Sequence, residues 1–270
     1  EALAGAGDAP HRVLLLFVDS ECGDQAEIVA GAYAVAGGRI PLAGGAAGGD
    51  VRAQLVDGHA LSGGVVAVAV GGEAPVGVGI AHGCFPRGAP AIVTRSSGRA
   101  VLQLDGRPAQ DVYFERLGHD GELDDDAFEA LAMAHPLAQP ELSGALRPRY
   151  VRGRHRDGGL VCATAIEPNA PVQICDQTVH GILRSAYAAA DDAVAQLQGR
   201  PQAALVFDCA GRGSWFGGGL AAHEFESLLE AFGAPPALAG AYTRGEIGRV
   251  RGAKGDRNHS VVVVTFGAAG

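Results

Sequence analysis

The chain has 270 residues, 47% of them apolar and 19% charged, with a formal charge of −9. That hydrophobic share excludes intrinsic disorder, and the length fits roughly two domains on a prior of about 150 residues each. The acidic balance repels phosphate backbones, so nucleic acid is not expected as a partner. Of the 21 Lys and Arg residues only Lys254 is lysine, and Gly255 follows it, so there is no G-K-[ST] phosphate loop. The five cysteines show no C-x-x-C spacing, which argues against a disulfide framework and for a reducing compartment. Apolar runs such as Val13–Val18 and Val65–Val70 are far shorter than the ~20 residues of a membrane span. The sequence opens on Glu1 without Met, and it reads as a fragment or a processed chain.

In chain order, Val13–Asp19 reads as a buried strand. Asp24 with Glu27 forms a capping box for a helix through Tyr33 that stops at Gly37-Gly38. Ile40–Gly45, Val65–Val70, Val76–Ile80 and Ala91–Thr94 read as further strands. Pro108 and Gly118 bracket a helix carrying Val112, Tyr113 and Leu117. Leu160–Ile166 and Pro171–Ile174 form an expected hairpin around Glu167-Pro168-Asn169. Asp176 is the expected N-cap of a long helix presenting Val179, Ile182, Leu183, Ala186, Ala190, Val194 and Leu197, ended by Gly199 and Pro201.

The last seventy residues echo the first seventy. Ala203–Asp208 matches Val13–Asp19, Phe225–Phe232 matches the first helix, Pro236–Gly240 matches Pro41–Gly45, and Ser260–Phe266 matches Gly64–Val70. A repeat of strand, glycine-bearing loop, helix, strand, long loop and strand predicts an α/β protein. Two related lobes of mixed sheet, flanked by helices, follow from it.

Chemistry-bearing residues concentrate in the second copy. In Asp208-Cys209-Ala210-Gly211-Arg212-Gly213, glycine-freed N–H groups and a guanidinium suit an anion. The competing reading pairs Asp208 with Arg212 to lock the turn, with Cys209 a small buried hydrophobe. Tyr242-Thr243-Arg244-Gly245-Glu246-Ile247 offers an aromatic, a hydroxyl and both charges, against the alternative of a solvated Arg244–Glu246 pair. Asn258-His259-Ser260 precedes the last strand, and His82 stands near Cys84 in a weak H-x-C pattern. No H-E-x-x-H, G-x-S-x-G or G-x-G-x-x-G opening a helix is present, so no enzyme is expected.

The runs ALVFDCAGRGSWFG, ALAGAYTRGEIG and NHSVVVVTF, in that order, resemble the C-terminal half of the FIST domain. FVDSECGD, IPLAGGAAGGD, GVVAVAV and HGCFPRG resemble the latter part of its N-terminal half, implying domains at 1–107 and 108–270. The family's N-terminal half opens with a further segment not present in this sequence. The resemblance implies a bacterial, cytoplasmic sensory module of signal transduction, without turnover and without a resident cofactor. Its ligand would be a small metabolite such as an amino acid, and its partner an output protein such as a histidine kinase or cyclase. Carried over by position, the ligand-binding residues are Asp208, Cys209, Arg212, Tyr242, Gly245, Glu246 and His259; the pairing of opposite charges on two glycine-bearing turns puts Arg212 on an anionic group and Glu246 on a cationic one. Other members imply two alternatives: a haem-binding nitric oxide sensor, with His82 or His259 as axial ligand, and a protein-recruiting scaffold as in F-box relatives.

Overall fold

A computed structural model describes every residue except 1, 50, 51, 142, 143, 216, 234, 235, 251, 253 and 270; for 214, 215 and 217–220 it describes the backbone alone. The chain forms two compact units, Glu1–His82 with Ile182–Gly270, and Gly83–Gly181.

The first unit opens with α1 (Ala2–Gly5), β1 (His11–Asp19), α2 (Gln25–Ala36), β2 (Leu42–Ala47), β3 (Ala53–Val56), β4 (His59–Ser62), β5 (Val65–Gly72) and β6 (Val76–His82). Asp24 caps α2 by accepting the Ala26 N–H at 2.8 Å, and Gly37 ends it at φ +72°.

The second unit holds β7 (Cys84–Pro86), β8 (Ala91–Ser97), β9 (Ala100–Leu104), β10 (Arg107–Pro108), α3 (Ala109–Leu117), α4 (Asp125–Ala134), β11 (Leu137–Pro140), β12 (Leu146–Arg149), β13 (Val151–His155), β14 (Gly159–Cys162) and β15 (Pro171–Gln177). Its core gathers Val93, Val101, Tyr113, Phe128, Leu160 and Ile174 beneath α3 and α4. Two expectations are corrected here. The segments around Glu167-Pro168-Asn169 are not a hairpin: β14 pairs with β13 and β9, whereas β15 pairs with β11, β8 and β7. Asp176 is no helix cap either. It lies in β15, where Arg87 donates to it at 3.0 Å and His135 Nδ1 approaches at 2.8 Å. The capping passes to Thr178, whose hydroxyl accepts the Gly181 N–H at 3.1 Å.

The chain then forms α5 (Val179–Val194) and returns through β16 (Ala203–Cys209), α6 (Ala210–Trp215), α7 (Gly217–Phe232), β17 (Ala237–Thr243), β18 (Glu246–Arg249), β19 (Asp256–Arg257) and β20 (Ser260–Phe266). The duplication is visible in the pairing. β1 runs parallel to β2 and antiparallel to β5; β16 runs parallel to β17 and antiparallel to β20. The two copies also exchange strands. β18 joins the sheet β19-β18-β2-β1-β5, and β6 joins β17-β16-β20-β6.

Both faces of β1 are buried, which is why its sequence is continuously apolar rather than alternating. Val13 and Leu15 meet Phe207, Val262 and Val264 of the other sheet, while Leu14, Leu16 and Val18 meet Val29 of α2. On the far side, Val206, Val261 and Val263 pack under Ala186 and Ala189 of α5 and Leu228 and Phe232 of α7. The first unit is thus four layers, helix–sheet–sheet–helix.

Candidate functional site

Parallel strands β16 and β17 bring their carboxyl ends side by side, with Asp208 opposite Tyr242 and Cys209 opposite Thr243. In open α/β sheets that end of the strands is where ligands gather. The residues after Asp208 do not form an open glycine loop. They wind directly into α6, and the helical turn carries Arg212 back over the strand end.

Arg212 is fully buried. Its Nε lies 2.9 Å from Asp208 Oδ1, its Nη1 donates to Ser185 Oγ at 2.8 Å, and its Nη2 donates to Glu224 and to the Ile182 carbonyl. One guanidinium therefore ties α6, α5, α7 and β16 together. Burial opposes its charge, but the two carboxyl groups outweigh that cost and hold it protonated. Asp208 is pushed the same way, toward its protonated form. Burial lifts its carboxyl well above the ordinary range, Arg212 pulls it down, and Glu224 raises it further. Asp208 and Glu224 thus share one guanidinium inside the same buried cluster.

Glu246 sits behind this cluster, also fully buried. It accepts from the Thr243 hydroxyl at 3.0 Å and from the Ser260 N–H at 3.2 Å. Burial pushes its carboxyl up to about 8, against the lowering effect of those bonds. There is no solvated Arg244–Glu246 pair: Arg244 is exposed while Glu246 is enclosed. Gly245 holds φ +117°, a conformation that L side chains rarely adopt, and a Cβ there would displace the Gln25 amide, whose Oε1 stands 2.4 Å away. Gln25 Nε2 in turn donates to the Glu246 carbonyl at 3.1 Å, fixing the turn.

His259 is buried at φ +52°. Burial lowers its imidazole to about 3, with Arg212 and His82 acting in the same direction, so the ring is neutral. His82, partly exposed, ends β6 opposite Ser260. Burial raises the Cys209 thiol above the ordinary range and keeps it protonated, the state of a small hydrophobe rather than of a nucleophile.

Beside the cluster lies a groove of about 280 Å³ between α7 and β17. Asp208, Glu224 and Tyr242 form its polar end; Val206, Phe225, Leu228 and Leu238 are among its apolar walls. Gly213 lets the Tyr242 ring lie close, for a Cβ there would stand 2.7 Å from it. Of the residues expected from sequence, Asp208 and Tyr242 line the groove. Cys209, Arg212, Gly245, Glu246 and His259 are not in its lining and are buried. Glu224 is the lining residue that the sequence reading missed. It was detectable as an acid four positions before Leu228 and eight before Phe232, on the buried stripe of α7.

The first copy lacks this arrangement. Its Asp19, the counterpart of Asp208, accepts the Glu21 N–H at 2.9 Å and the Gly63 N–H at 2.7 Å, with Arg52 at 3.5 Å. These backbone bonds, and then Arg52, hold its carboxyl below the usual range. Asp19 closes a loop, whereas Asp208 faces a groove.

Residues 1–107 match the FIST N domain and residues 109–249 the FIST C domain. Similar proteins include the uncharacterised protein Rv0628c of Mycobacterium tuberculosis (strain ATCC 25618 / H37Rv), 29% identical over 216 residues, which are 78% of this chain and 55% of the relative. The uncharacterised protein Mb0898c of Mycobacterium bovis (strain ATCC BAA-935 / AF2122/97) is 30% identical over 228 residues, 81% of this chain and 56% of that protein. The chain spans about half the length of the curated relatives it matches.

Proposed function

Because the chain belongs to the FIST family of sensory signal-transduction domains, we propose that it is a ligand-binding module whose ligand is a small metabolite with a cationic group, of amino-acid size. One observation carries the reading: two carboxyl groups and a phenol stand at one end of an otherwise apolar groove. That pattern of apolar walls with a few convergent polar groups is the usual form of a small-molecule site. The ammonium of the ligand faces Asp208 and Glu224, its apolar part lies along Phe225, Leu228 and Leu238, and Tyr242 orients it. Arg212 acts through the two carboxyls it holds and is a positioning residue. Glu246 and His259 support the strand ends from behind. No helix among the described residues is long and apolar enough to cross a membrane.

Isothermal calorimetry with a panel of apolar L-amino acids and their decarboxylated amines tests this. Binding by one class member, weakened at least tenfold by Glu224→Gln or by Tyr242→Ala, is the expected result. Unchanged affinity in both variants, or no binding across the panel, overturns it.

A further inference from the structure

Strand β2 and strand β17 are internal counterparts, yet their outer edges differ. The outer edge of β2 is occupied by antiparallel β18, with Ile247 opposite Gly44 and Glu246 opposite Gly45, and five of its six residues are buried. Among the described residues no strand pairs with the outer edge of β17, and five of its seven residues are exposed.

Ala237 donates to the Gln202 carbonyl on the β16 side at 3.0 Å. Main-chain groups alternate along a strand, so Ala239 and Ala241 also face β16, and Leu238, Gly240 and Tyr242 point their N–H and C=O groups outward. Natural edges are blocked with charges, proline or bulges. β17 reads Ala-Leu-Ala-Gly-Ala-Tyr-Thr and has neither charge nor proline.

We propose that β17 pairs with β17 of a second copy of this chain, antiparallel about a two-fold axis at Gly240. The sequence fits that register. Gly240 meets Gly240 of the second copy, and Leu238 meets Tyr242, each pair exchanging both main-chain hydrogen bonds. Ala239 falls opposite Ala241, small against small. The Tyr242 ring, 51% exposed in the single chain, gains an aliphatic neighbour on its own face, a favourable cross-strand pair. An isologous contact of this kind closes at two copies and does not propagate. It shares Leu238 and Tyr242 with the groove, but its test reads the mass of the assembly and not ligand binding, so the two readings fail separately.

Sedimentation equilibrium of the chain over a broad concentration range, beside the Leu238→Pro variant, tests the pairing. Proline at 238 removes an outward N–H and leaves the bonds to β16 in place. The parent chain is expected to approach the mass of two copies, and the variant to stay at one, with unchanged far-ultraviolet circular dichroism. Should the variant fail to fold, Ala239→Cys/Ala241→Cys decides: mild oxidation that leaves the parent chain uncrosslinked gives a covalent dimer. A chain that stays monomeric and uncrosslinked overturns the proposal. So does a dimer that Leu238→Pro leaves intact, or a monomer whose edge takes up a strand peptide of residues 244–250.

Discussion

Glu246 and His259 are both fully enclosed, and each is held in its uncharged form by the cost of desolvation. They impose opposite pH slopes. Glu246 keeps its proton to about 8 in the folded chain, against 4.5 when unfolded, so between those values unfolding releases a proton and stability falls as pH rises. Glu246→Gln should flatten that fall, stabilising the alkaline side by on the order of a few kcal/mol. His259 remains neutral down to about 3, against 6.5 when unfolded; its contribution is complete above 6.5 and is lost as pH falls toward 3. His259→Asn, which tolerates the positive φ, should flatten the acid side. Thermal melts of both variants from mildly acid to mildly alkaline pH would check the two slopes separately.

At the scale of elements, α5 shows how small residues set a layer spacing. Its buried face consists of Ile182, Ser185, Ala186, Ala189, Ala190 and Ala193, smaller residues than the stripe read from sequence. The reason is on the facing strand, where Gly77 and Gly79 of β6 leave no room. A Cβ on Gly79 would stand 1.8 Å from the Ala189 carbonyl oxygen, and one on Gly77 1.9 Å from that of Ala193. These obstacles are backbone and cannot swing aside. Gly79→Ala should therefore cost about 1–3 kcal/mol or more, as overpacking does. Gly88→Ala makes the comparison informative, because nothing stands within 4 Å of a Cβ there and only its φ of +66° is strained. Urea unfolding of the two variants measures the difference, with Gly79→Ala expected to be the more damaging.

For the molecule as a whole, the spatial division and the family division fall at different places. The FIST N and FIST C matches meet between residues 107 and 109, inside the unit Gly83–Gly181. That unit has its own core, and its ends meet: a Cβ on Gly181 would stand 2.5 Å from the Gly83 carbonyl oxygen. Adjacent termini and a private core are the marks of a segment that folds by itself. Residues 83–181 produced alone should give a single cooperative thermal transition by circular dichroism. A non-cooperative melt would show that its core needs the rest of the chain.

Much of the fold was legible because it rests on local rules. The run Val13–Val18 specified a doubly buried strand, Asp24 and Gly37 bounded α2, and Gly118 ended α3 in the left-handed region at φ +67°. The repeated strand–helix–strand order likewise announced two related copies, and it singled out Asp208 and Tyr242 as residues beside a strand end. Other features depend on contacts distant in sequence. Arg87 and His135 claimed Asp176 for a strand, and Ser185 and Glu224 converged on Arg212 from separate helices. The exchange of β18 and β6 between copies is of the same kind, since hydrogen bonds between strands carry no mark in either strand's own sequence. Periodicity and capping are set by neighbours along the chain and can be read there; the partner of a buried charge or of a strand edge is chosen only when the layers close.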